Sequence, residues 1–180
     1  MKTLSHHIKE ALIKKDTKIS PYKYFPKNKG ELKYLINQLL HERGDDADLN
    51  DIDVSNITDM SLLFFQLDPH NIDISEWDVS NVENMSEMFV NCRKFNSNLS
   101  KWDVRSVINM DSMFWDCYKF NSDISRWYVS NVKNMGGMFF SCKKFNSDLS
   151  KWNVENVHNM YRMFDGCTSL KTKPSWYKGK

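Results

Sequence analysis

Four cysteines, Cys92, Cys117, Cys142 and Cys167, are the residues of this 180-residue chain best suited to chemistry, as zinc ligands or as disulfides. Zinc needs thiolates converging on one point at about 2.3 Å and usually takes them as close pairs in sequence. A uniform spacing of 25 residues instead sets the sulfurs out in a row, beyond the reach of one ion. Layers stacked about 5 Å apart also exceed the usual disulfide Cβ–Cβ separation of about 3.8 Å. Leu67 fills the same column one repeat earlier, so the position reads as apolar core occupied by free thiols. Free thiols suit a reducing interior better than an oxidising surface.

The remaining chemical candidates are weaker. His6, His7, His41, His70 and His158 share no spacing with one another or with a nucleophile. G-x-S-x-G, P-loop and H-E-x-x-H patterns are absent from the sequence, which argues against an enzyme. The Asn-x-Asp units at Asn121–Asp123 and Asn146–Asp148 could hint at calcium, but the glycine-rich nonapeptide of calcium-binding repeats is missing. Asx-turns account for the same residues. The methionine pairs Met85/Met88, Met110/Met113, Met135/Met138 and Met160/Met163 read as irregular core filling under aromatic rings rather than as a cofactor box. No catalytic residue, metal or cofactor is expected.

What positions all of these residues is a 25-residue repeat. Trp77, Trp102, Trp127 and Trp152 share one column. Met60, Met85, Met110, Met135 and Met160 share another, and Phe64, Phe89, Phe114, Phe139 and Phe164 a third. Apolar columns at Ile57/Val82/Val107/Val132/Val157 and Leu49/Ile74/Leu99/Ile124/Leu149 complete the pattern. A fixed period in this range signals a stacked array. The unit FN-x-D-[IL]-S-x-W-x-V-x-x-V-x-N-M-x-x-MF-x-x-C resembles the BspA-like leucine-rich repeat family of bacterial surface proteins and lipoproteins, over roughly residues 49–173. That resemblance implies a leucine-rich-repeat-like solenoid used in adhesion or protein binding, with no catalytic residues.

Within a repeat, Val82, Met85, Phe89 and Cys92 recur at helical spacing, and Ser80 with Glu83 makes a capping-box pattern. Residues 95–102 suit a turn and a short strand. The expected fold is therefore α/β: a right-handed leucine-rich-repeat-like solenoid of five 25-residue turns, each a short parallel strand plus a short helix. Residues 1–48 should form an N-terminal helical cap, 49–173 the array and 174–180 a tail. In the cap, Asn28, Glu31 and Gly44 bound a helix over 28–43 whose stripe is Leu32, Leu35, Ile36, Leu39 and Leu40. A shorter helix is expected around Ser5–Lys15, carrying Ile8, Ala11 and Leu12. The last segment, Lys171–Lys180, either folds Trp176 and Tyr177 over the final turn or frays.

Columns fixed by stacking cannot carry specificity, so binding should lie in exposed variable columns. Val90, Trp115 and Phe140 form one such column, ending at Asp165, with Tyr118, Tyr128 and Tyr161 beside it. Large exposed aromatics are what protein interfaces use, so these six residues are the expected partner-binding set. Self-association through this face, and burial of the row beneath the N-terminal segment, are the competing accounts. Lysines also gather in columns, Lys101/Arg126/Lys151 and Lys94/Lys119/Lys144.

The net charge of +2 divides into +3 for residues 1–48, −5 for 49–170 and +4 for 171–180. A mildly acidic array is a poor phosphate tracker, so a nucleic-acid-associated or host-directed accessory protein using the lysine columns ranks second to a non-enzymatic protein-binding module. No apolar run approaches the ~18 residues of a membrane span, and the N-terminus lacks a signal peptide's apolar core. The expectation is a cytoplasmic protein, with the family resemblance leaving the cell surface open.

Overall fold

The computed structural model describes residues 21–65 and 67–179. The helix expected around Ser5–Lys15 and the His6–His7 pair lie outside the described residues. Helix α1 spans Lys29–Arg43 and matches the expected cap helix closely. Asn28 Oδ1 accepts from Glu31 N at 3.0 Å, and Glu31 Oε2 accepts in return from Lys27 N at 2.9 Å. At the other end Gly44, at φ +84°, donates its N–H to Leu40 O. Leu32, Leu35, Ile36 and Leu39 of α1 are fully buried, in one core with the repeats.

The α/β leucine-rich-repeat solenoid is not what the repeats adopt. Among the described residues α1 is the one helix, and no sheet forms. Strand-type pairing between repeats reduces to isolated parallel bridges, chiefly Asp59↔Asn84, Asn84↔Asn109, Asn109↔Asn134 and Asn134↔Asn159. The segment 95–102, expected to hold a strand, contains none.

The reason no helix forms per repeat is in the backbone. Leu62, Glu87, Ser112, Gly137 and Arg162 all have φ between +52° and +57°. Asn91, Asp116, Ser141 and Gly166 make a second left-handed column four residues on, with φ of +58° to +76°. Left-handed residues four apart cannot lie in a right-handed helix. The spacing of Val82, Met85, Phe89 and Cys92 instead arises from consecutive turns. Met88 N bonds Met85 O and Cys92 N bonds Phe89 O, each closing over one left-handed residue at the third position, as in type II turns.

Those turns leave every second N–H pointing at the neighbouring repeat. Met85, Glu87, Phe89 and Asn91 donate to the carbonyls of Asn109, Asp111, Met113 and Trp115 at 2.8–2.9 Å. The same four bonds recur from Met110, Ser112, Phe114 and Asp116 to the repeat after. Side chains add to this register. Each column indole donates from Nε1 to a carbonyl of the repeat before, as in Trp102 to Ile74 at 3.0 Å. The backbone N–H groups of Asn121 and Asn146 donate to the amide oxygens of Asn96 and Asn121.

The rings follow the same order. Neighbouring rings in the Phe64–Phe164 column are 5.0–5.8 Å apart and within 11° of parallel. Phe95, Phe120 and Phe145 stack beside them at 3.9–4.2 Å. At the C-terminal end Trp176 stacks on Trp152 and Tyr177 sets its edge against Phe164. The tail therefore folds over the last repeat, with Trp176 reaching Leu149 O at 2.9 Å despite its one-residue shift.

Candidate functional site

The cysteines behave as core. All four are buried and free, and each Sγ donates to the phenylalanine carbonyl of the preceding repeat, for example Cys117 to Phe89 at 3.0 Å. Burial pushes the thiols of Cys92 and Cys167 up to about 12, and those of Cys117 and Cys142 well above the ordinary value. Such thiols are poor nucleophiles and poor metal ligands at neutral pH. Among the described residues no group of three or more His, Cys, Asp and Glu is placed to hold a metal. The asparagines are occupied locally: Asn84, Asn109, Asn134 and Asn159 each accept the N–H two residues on, closing Asx-turns.

The expected binding column is only partly available. Val90 is 8% exposed and belongs with the core. It does not project from the surface, so it leaves the binding row. Trp115 and Phe140 are half-buried and stacked on each other at 4.0 Å. Arg162, one repeat further, lies over Phe140 at 4.6 Å and pairs with Asp165 at 3.2 Å. Phe140 is thus held between an indole and a guanidinium, both within cation–π or stacking range.

Tyr118, three residues beyond Trp115, is half-buried and repeats this arrangement. Arg93 of the repeat before sits 5.5 Å from its ring, and Lys143 of the repeat after sits 4.1 Å from it. Tyr161 is 64% exposed, and its carbonyl accepts from Gly137 N at 2.8 Å, which places it one repeat beyond the Gly137 turn. Tyr128 is exposed at 58% but stands apart, in the column of Asp53, Asp78, Asp103 and Asn153. Those four side chains close Asx-turns onto the residue two ahead. Tyr128 has no such group.

Sequence reasoning missed the parts that hold the site together. Arg93, Lys143 and Arg162 are ordinary surface cations until the repeats are stacked. A signal for Trp115 was present, however: Gly136-Gly137 replaces Ser86-Glu87 and Asp111-Ser112 in the matching columns. A Cβ on Gly137 would stand 2.7 Å from Trp115 Cε3 and Cζ3, so the glycine makes room for the indole.

The two lysine columns differ in their surroundings. Lys101 pairs with Glu76, while Asp123 and Asp148 feel the charges of Arg126 and Lys151. In the other column Lys94, Lys119 and Lys144 are exposed and, with Arg93 and Lys143, take part in no ion pair among the described residues. Their backbones are held in register, Lys119 N bonding Arg93 O and Lys144 N bonding Tyr118 O. None of the described helices is long and apolar enough to cross a membrane.

A family model described as a Mycoplasma protein of unknown function, DUF285, matches residues 34–139 and 106–178. The overlap of the two segments is what a repeated unit produces. No curated protein and no solved structure matches the chain.

Proposed function

This chain belongs to the DUF285 family, and we propose that it is a non-enzymatic protein-binding module whose contact surface is the edge bearing Trp115, Phe140, Tyr118 and Tyr161. The observation that carries this reading is the Trp115–Phe140 pair, stacked at 4.0 Å and left half-exposed. Aromatic side chains already ordered by stacking lose little further entropy on binding, which is the economy of an interface anchor. The buried, protonated thiols and locally bonded asparagines support the non-enzymatic part of the reading, and four free thiols fit a reducing compartment.

Nucleic-acid association through the lysine columns is the second reading, and the ring geometry favours it less. Base stacking needs a free ring face. Phe140 lies between Trp115 and Arg162, and Tyr118 between Arg93 and Lys143.

The test is affinity capture from the native host with the wild-type chain and with Trp115→Ser/Phe140→Ser. Loss of a captured protein in a double variant that still melts cooperatively supports the reading. Undiminished capture removes this edge from consideration. Captured nucleic acid, released steeply by salt, would establish the second reading instead.

A further inference from the structure

Resting on the protein-binding reading above, we infer that the partner presents an acidic segment, seated along the cations Arg93, Lys94, Lys119, Lys143 and Lys144 beside the aromatic edge. Residues 49–170 carry a net charge of −5, so carboxylates are plentiful in the array. These five cations nevertheless take part in no ion pair among the described residues, while Lys101 in the other lysine column does. Successive repeats bring like charges to backbone positions about 5 Å apart. That arrangement repels itself unless an anion lies across it.

Burial and geometry fit a peptide. Lys94 Nζ lies 2.6 Å from His70 Nε2, which also lies 3.7 Å from Asp45 Oδ2, so Lys94 reaches that carboxylate only through the imidazole and pairs with no acid directly. His70, Asn71, Lys94, Asn96 and Lys119 line an open depression of mixed amides and cations, suited to carboxylates and peptide groups together. The aromatic neighbours offer ring edges, because the faces of Phe140 and Tyr118 are taken by cations and by Trp115. Side chains can pack on those edges, whereas a nucleobase would have to displace a cation or Trp115 to stack on Phe140 or Tyr118.

The experiment titrates the full chain with a fluorescein-labelled glutamate-rich peptide and with an oligothymidylate of equal charge, each at low and at physiological salt. Peptide affinity should fall with salt and should drop at least roughly tenfold in Lys94→Glu/Lys119→Glu/Lys144→Glu, as for removal of several screened contacts. The same reversal at Lys101, Arg126 and Lys151 changes net charge equally and should leave affinity within about twofold, since distant charges are screened. The inference is overturned if the peptide does not bind, if both reversals act alike, or if the oligothymidylate binds as tightly. The native-host capture separates this failure from the previous one. A partner lost with Trp115→Ser/Phe140→Ser but retained by the lysine reversal leaves the protein-binding reading standing and removes the acidic segment.

Discussion

Trp127 Nε1 donates to the carbonyl of Leu99, 3.0 Å away and 28 residues earlier in the chain. The same carbonyl accepts from Trp102 N at 3.2 Å, so one oxygen closes a turn within its repeat and ties that repeat to the next. The bond recurs along the column from Trp77 to Trp152. With no sheet to hold the repeats together, these indoles and the turn N–H groups perform that task.

Trp127→Ala should therefore destabilise the chain by about 3–5 kcal/mol, the range for removing a buried aromatic side chain. Trp127→Phe keeps most of the ring but loses the Nε1 donor. Because Leu99 O retains Trp102 N, the hydrogen-bond part of the loss should be only about 0.5–1.5 kcal/mol. Denaturant unfolding of both variants measures the difference. An alanine variant no less stable than wild type would mean that the column does not hold the repeats.

The thiols predict an alkaline weakness. An unfolded cysteine titrates near 8.5, whereas burial pushes Cys92 and Cys167 up to about 12. Between those values the folded state keeps protons that the unfolded state has released. Their stabilisation is complete below the unfolded value and is lost as pH rises through that window. Stability measured against pH should decline above about 8.5, and Cys117→Ser should make the decline shallower while sparing a donor for Phe89 O. A slope unchanged by that substitution would show that the thiol is not held protonated.

The opposite sign applies at the α1 end. Arg43 Nη1 and Nη2 bond Asp51 Oδ1 and Oδ2 at 2.9 and 2.8 Å. Burial raises the Asp51 carboxyl, but the hydrogen bond and charge of Arg43, aided by Lys23, outweigh it and hold the group below the usual value. This stabilisation is present above the unfolded value of about 3.9 and is lost as pH falls through the folded one. Asp51→Asn should cost about 1–3 kcal/mol at neutral pH and flatten the acid limb of the stability profile. An acid limb identical to wild type would place the sensitivity elsewhere.

Much of this core was legible from columns alone. Trp, Phe, Met and Cys positions repeated every 25 residues are nearly all buried, and Asn28, Glu31 and Gly44 mark the ends of α1. The turn structure was not legible, because Val82, Met85, Phe89 and Cys92 keep helical spacing while Glu87 and Asn91 take positive φ. Neither residue type announces that conformation as glycine does. At the site, Trp115 and Phe140 stood out as aromatics in a variable column. The burial of Val90 and the cations over Phe140 and Tyr118 depend on side-chain directions between repeats, which column position leaves open.

Gly137 offers the sharpest test of the site's construction. Leu62, Glu87, Ser112 and Arg162 occupy its column at similar positive φ, so the backbone there tolerates a side chain elsewhere in the array. What differs at Gly137 is the indole, 2.7 Å from where a Cβ would stand. Gly137→Ala should therefore cost about 1–3 kcal/mol, combining the left-handed penalty with displacement of Trp115. It should also part Trp115 from Phe140 and shift the indole emission. In a Trp115→Ser background the clash is gone and only the backbone penalty remains. The double-mutant cycle should then show a coupling of at least about 0.5 kcal/mol. Additive effects would mean that Gly137 does not make room for the indole, and that the Trp115–Phe140 stack is positioned by something other than this turn.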